Sequence, residues 1–275
     1  MTLVRRLLIT VLLPVLAGLG LLAGTAIPAE AHARRPVSYV ALGDSYAAGQ
    51  GGGDYRNPCL QSPYGYPELL DSLRRIHLRA NTSCTGATTR DVIDTQLGPL
   101  NRGTRLVTLT VGGNDLNVAG VAAACAAGPS VGCQQAIDAA RALLAAPLGG
   151  SSVLAGRLVD TYAAVAAESP RARILVTDYP RLFENPAPGD PNAPVIAAIN
   201  EATVALNATI RAAVTRVSVT GTDIRYVDVT DEFAGHGVGS PDPYLQVSGS
   251  DAFHPNRAGY RAYRSALKPE LPRRF

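Results

Sequence analysis

Four apolar runs of strand length, Val37 to Leu42, Leu106 to Val111, Ile174 to Tyr179 and Ile224 to Val229, recur along the chain with longer helical patterns between them. Predominantly apolar runs of this length suit buried strands, and connections long enough to hold a helix suit parallel pairing. The alternation predicts an α/β fold, a three-layer sandwich with a central parallel sheet flanked by helices. A weaker fifth strand is expected at Ile76 to Ala80. Helices are expected at Pro67 to Arg75, Gln134 to Ala146, Val153 to Ala167, Val195 to Val217 and Arg257 to Leu267, the last entered through Pro255 and Asn256. Arg181 to Pro194 and Asp231 to Ser250 carry the proline, glycine and serine of loops. No internal repeat or long linker divides the chain, and 275 residues with 47% hydrophobic content can bury a sizeable core, so one domain is expected over 34–275.

Residues 1–33 have the form of an export signal: Arg5 and Arg6 precede an apolar run from Leu7 to about Ile27, and Ala29-Glu30-Ala31 and Ala31-His32-Ala33 offer cleavage sites. The run is also long enough for an uncleaved anchor, which Pro14, Gly18, Gly20 and Gly24 disfavour, and the arginine pair fits a twin-arginine signal. The later chain holds no stretch that reads as a membrane span, so a soluble, secreted body is expected. The formal charge of +3 is small and its basic residues are dispersed, which argues against nucleic acid as a partner. Four cysteines in an exported chain favour disulfides. Their spacing favours Cys59 with Cys84 and Cys125 with Cys133; with no C-x-x-C and no histidine near a cysteine, a metal site is not expected.

In an open α/β sheet the ligand crevice lies beyond the carboxyl ends of the strands. Gly43-Asp44-Ser45-Tyr46 follows the first strand, and then comes the glycine-rich Gly49-Gln50-Gly51-Gly52-Gly53. A dinucleotide-binding G-x-G-x-x-G fails in register, because its third glycine falls on Asp54 or Arg56. Gly112-Gly113-Asn114-Asp115 follows the strand ending at Val111 and could be ordinary turn chemistry, or could offer a side-chain amide to an oxyanion. Asp251-Ala252-Phe253-His254-Pro255-Asn256 holds an acid three residues before a histidine, close enough to reach Nδ1 within a helical turn. Alone, such a pair is commonly a surface ion pair. Of the other histidines, His32 is at the signal boundary, His77 lies among basic residues, and His236 is the reserve base. A serine hydroxyl needs a base, and the base gains from a carboxylate, so Ser45, His254 and Asp251 supply the three roles. G-x-S-x-G is absent, which excludes the α/β-hydrolase nucleophile elbow.

These blocks, together with Cys84-Thr85-Gly86-Ala87-Thr88-Thr89, resemble the SGNH hydrolases of the GDSL esterase and lipase family, in particular their secreted actinobacterial branch. The resemblance implies a flavodoxin-like sandwich, Ser45 as nucleophile, His254 as base and Asp251 as its acid. It also implies an oxyanion hole from the N–H groups of Ser45 and Gly86 and the Asn114 amide. Some relatives replace the acid with a backbone carbonyl; Asp251 is present here, so a full triad is expected. That branch often carries three disulfides, whereas this chain can form two at most, and Gly235 to Ser240 lacks the extra cysteine.

The expected function is hydrolysis of carboxylic esters by a secreted monomeric enzyme with no metal or organic cofactor. Its substrate would be a small-molecule or lipid ester, with short-to-medium acyl esters or lipids preferred, and with transient contact to a lipid surface. Activity should rise through about pH 6 to 7, where an unperturbed histidine titrates. Family alternatives include phospholipids and acetylated polysaccharide, the latter disfavoured by the absence of Trp and the presence of only four Phe. The rival class is a non-catalytic exported binding protein on the same scaffold.

Overall fold

The computed structural model describes residues 36–125, 127–146 and 150–272, so the expected export signal lies outside the described residues. Strands β1 (Val37–Gly43), β2 (Ile76–Asn81), β3 (Leu106–Thr110), β4 (Arg173–Thr177) and β5 (Ile224–Val227) form one all-parallel sheet in the order β2-β1-β3-β4-β5. Every residue of β3 is buried between the helical layers, including Thr108 and Thr110, whose hydroxyls are paired with those of Tyr39 and Thr177. The strand order reverses between β1 and β3, which opens a crevice at their carboxyl ends, where Ser45 and Asn114 follow.

The helices are α1 (Ser45–Ala48), α2 (Tyr66–Asp71), α3 (Thr89–Asp91), α4 (Val118–Cys125), α5 (Val131–Leu144), α6 (Val153–Glu168), α7 (Ala193–Ser218) and α8 (Arg257–Leu267). Helices α4 to α7 form one packed group, and α2 packs with α8. Local chemistry explains where their ends depart from the sequence pattern. α5 starts at Val131, before the expected Gln134, because the Ser130 hydroxyl accepts the Cys133 N–H at 3.1 Å. α7 starts at Ala193 because Pro194 is tolerated in a first turn. α2 stops at Asp71, short of Arg75, as the chain tightens through Leu73 N–H to Leu70 O at 3.0 Å. α4 was not expected: its sequence, Val-Ala-Gly-Val-Ala-Ala-Ala-Cys, has no polar face and so no helical period.

The expectation of no later apolar span needs correction at α7, which is long and apolar enough by composition to cross a bilayer. It packs against α6, α5 and β5 and buries Leu206, Ile210, Val214 and Val217 as a flanking helix of the sheet.

Candidate active site

Ser45 is the first residue of α1, immediately beyond β1. Two neighbours set its position. Gly43 has φ +125°, and a Cβ there would lie 2.1 Å from the Thr110 carbonyl oxygen, so only glycine lets β1 end this close to β3. Gln96 holds the same residue from the side: its Oε1 accepts the Gly43 N–H at 2.7 Å and its Nε2 donates to Gly43 O at 2.9 Å. Asp44 caps α1, with Oδ1 accepting the Tyr46 N–H at 2.9 Å and Oδ2 accepting from the Tyr179 hydroxyl. Burial pushes the Asp44 carboxyl up to about 7, against the opposing donation from Tyr179. Tyr179 in turn accepts the Gly113 N–H at 3.1 Å, so the ends of β1 and β3 are tied together.

His254 reaches Ser45 from the C-terminal segment, with Nε2 2.8 Å from the Ser45 Oγ. Its loop is held by Tyr46, whose hydroxyl donates to Phe253 O at 2.6 Å, and by Gln246, whose Nε2 donates to Gly51 O at 2.6 Å. Phe253 has φ +69°, a left-handed conformation that a bulky residue adopts only where its surroundings impose it. The glycine-rich segment is the seat of this loop: a Cβ on Gly51 would lie 2.4 Å from Pro255 O and 3.1 Å from the His254 Cβ.

The Asp251 carboxylate does not face His254, contrary to the sequence expectation. Residues 250–254 form turns rather than a helix, and His254 N–H bonds Asp251 O at 3.1 Å. This folds backbone under the ring, with Nδ1 3.3 Å from Asp251 O and 3.2 Å from Ala252 O. Facing two acceptors, Nδ1 carries the proton and leaves Nε2 to accept from Ser45. The Asp251 carboxylate instead accepts the Tyr55 hydroxyl at 2.5 Å on Oδ2 and Gln50 Nε2 at 3.2 Å on Oδ1. Burial holds the His254 pKa below its ordinary value, opposed by the two carbonyls and, more weakly, by the Asp251 charge.

Gly86 sits at φ +78°, two residues beyond Cys84, which is joined to Cys59. Cys125 joins Cys133, so both expected pairs form. Asn114 opens a short 3-10 turn after β3 and donates Nδ2 to Ala87 O at 2.9 Å, which leaves its second amide hydrogen. The N–H groups of Ser45 and Gly86 have no hydrogen-bond partner among the described residues. Asp115, with a side chain only 2% exposed, fixes this corner by accepting the Thr89 N–H at 2.9 Å and its hydroxyl at 2.6 Å.

Ser45, Gly86, Asn114 and His254 line one cavity of about 410 Å³. A second, apolar cavity of about 50 Å³ shares Val118, Leu182, Leu206 and Phe253 with it and reaches Val121 and Ala202 between α4, α5 and α7. His236 and His77 are elsewhere: His236 stacks on Tyr244 with centroids 3.6 Å apart, and His77 Nδ1 is 4.0 Å from Asp71. Sequence reasoning missed Gln96, Tyr179, Gln50 and Tyr55 as site residues. Only Gln50 had a local signal, its place in the glycine-rich segment.

Residues 41–262 match the model of the GDSL-like lipase/acylhydrolase family. The chain is 32% identical to Lipase 1 of Streptomyces coelicolor over 89% of this chain and 92% of that one. Among solved structures it is similar to phospholipase A1 from Streptomyces albidoflavus, at 32% identity and a TM-score of 0.77 over 86% of this chain and 100% of that one. It is likewise similar to an extracellular lipase from Streptomyces rimosus, at 31% identity and a TM-score of 0.77 with the same coverage. Matched along nearly its whole described length in sequence and in fold, the chain belongs to the GDSL-like lipase/acylhydrolase family and is a carboxylic ester hydrolase.

Proposed function

We propose that this protein is a secreted, monomeric lipase that cleaves acyl esters of lipids through an acyl-enzyme on Ser45. The observation that carries the reading is the 2.8 Å hydrogen bond from Ser45 Oγ to His254 Nε2 at the wall of the 410 Å³ cavity. As Oγ attacks the ester carbonyl, Nε2 takes its proton and the imidazolium is oriented by the carbonyls of Asp251 and Ala252. The oxyanion is bound by the N–H groups of Ser45 and Gly86 and the spare amide hydrogen of Asn114. His254 then protonates the leaving alkoxide, and water repeats the sequence to release the acid.

The continuation of the cavity between α4, α5 and α7 supports an acyl chain longer than acetyl, because an acetyl group would leave that apolar surface unfilled. Deacetylation of a polysaccharide is therefore the weaker reading. The names of its relatives, lipases and a phospholipase A1, point the same way. Export is supported by the pattern of residues 1–33, by two disulfides and by the extracellular S. rimosus relative.

The test is hydrolysis of p-nitrophenyl esters from acetate to palmitate by the wild type and Ser45→Ala, with circular dichroism checking the fold. Turnover that prefers acyl chains longer than acetate and vanishes in the variant is expected. A folded wild type inactive on every ester would defeat the proposal and favour a binding protein.

A further inference from the structure

We propose that Gln50, Tyr55 and the Asp251 carboxylate form a latch that positions His254 and ties it to the oxyanion segment. This rests on the Ser45–His254 reading above. Both carboxylate oxygens of Asp251 are engaged, Oδ2 by the Tyr55 hydroxyl at 2.5 Å and Oδ1 by Gln50 Nε2 at 3.2 Å. Tyr55 is itself held, since its oxygen accepts the Gly51 N–H at 2.8 Å. The carbonyls that Nδ1 faces belong to Asp251 itself and to Ala252, so a carboxylate anchored to Tyr55 and Gln50 anchors the orienting carbonyls with it.

Gln50 extends the latch to the other half of the site. Its Nε2 also donates to Ser250 O at 3.4 Å, while its Oε1 accepts the Thr85 hydroxyl at 2.6 Å. An amide with a donor at its oxygen and acceptors at its nitrogen has one satisfied orientation. Thr85 precedes Gly86, so one buried side chain spans the histidine loop and the oxyanion segment. The carboxylate thereby acts through the backbone it holds, and not by contact with the imidazole.

The test measures kcat, KM and Tm for Gln50→Ala, Tyr55→Phe, Asp251→Ala, Asp251→Asn and the Tyr55→Phe/Asp251→Ala pair on a p-nitrophenyl ester. Misplacing a base by a fraction of an ångström predicts a fall in kcat of about 10-fold to 100-fold in Gln50→Ala, Tyr55→Phe and Asp251→Ala, with KM changed less than about twofold. The pair should fall no further than Asp251→Ala alone, because both changes break the same latch. Asp251→Asn keeps one of the two acceptors and should fall no further than Tyr55→Phe, whereas a carboxylate acting directly on the imidazole would lose about 10⁴-fold in that variant. Tyr55→Phe removes a single oxygen and keeps the proposal testable if the Asp251 variants fail to fold. Wild-type kcat in folded Gln50→Ala and Tyr55→Phe, or losses that multiply in the pair, would overturn the latch. Turnover surviving Ser45→Ala would instead overturn the underlying reading of the site.

Discussion

His254 Nε2 lies 2.8 Å from Ser45 Oγ although 209 positions of sequence separate the two residues. Such a contact, made at the carboxyl ends of parallel strands, is how a weak hydroxyl nucleophile gains its base. Ser45→Ala and His254→Ala should each lower kcat/KM by at least about 10⁴-fold with unchanged far-ultraviolet circular dichroism. A His254→Ala enzyme within tenfold of wild type would show that another group serves as base.

Burial is the largest influence on His254 and holds its pKa below the ordinary 6.5. A base works only when neutral, so activity should be full above the lowered pKa and lost as pH falls through it. The acid limb of kcat/KM is expected to have its midpoint below about 6.5, lower than the pH 6 to 7 rise of an unperturbed imidazole. A midpoint above 6.5 would mean that the carbonyls and the Asp251 charge outweigh desolvation.

Asn114→Ala removes one proposed oxyanion donor and the bond to Ala87 O. The expected loss in kcat is about 100-fold to 1,000-fold, with a stability cost of about 1 kcal/mol from the broken bond. Single-turnover kinetics and urea unfolding separate the two effects; an unchanged kcat removes Asn114 from the oxyanion hole.

Ala202 lines the apolar cavity on α7, opposite α4 and α5. Ala202→Phe fills that space, so the ratio of kcat/KM for palmitate over butyrate esters should fall by about tenfold or more, given about 0.8 kcal/mol for each methylene denied burial. A constant ratio would place the acyl chain elsewhere.

Asp178 is buried and its pKa is raised to about 7 by desolvation, though its carboxylate accepts from the Tyr226 hydroxyl and the Val229 N–H. Between the unfolded carboxyl pKa and about 7 the unfolded state ionises while the folded state stays protonated, so this group makes stability fall as pH rises, by up to about 1.4 kcal/mol per pH unit. Asp178→Asn lacks that loss, and its Tm relative to wild type should climb from pH 4 to pH 7 and then level. Thermal melts across that range check it; a flat difference would mean that Asp178 is ionised throughout.

The layered fold, the two cysteine pairs and the residues gathered at the crevice were legible in the chain alone. Strand-length apolar runs, turn chemistry and short motifs are local, and Gly43-Asp44-Ser45, Gly86, Asn114 and His254 each lie in such a motif. Which atoms face one another depended on how those motifs pack. The spacing of Asp251 and His254 suggested a carboxylate on the imidazole, and the positive φ of Phe253 and the close approach at Gly51 turned a backbone carbonyl there instead. The partners of that carboxylate, Tyr55 and Gln50, stand 196 and 201 positions away. No local pattern encodes a hydrogen bond across that separation, because its geometry exists only once β1, Gly51 and the C-terminal loop have packed together.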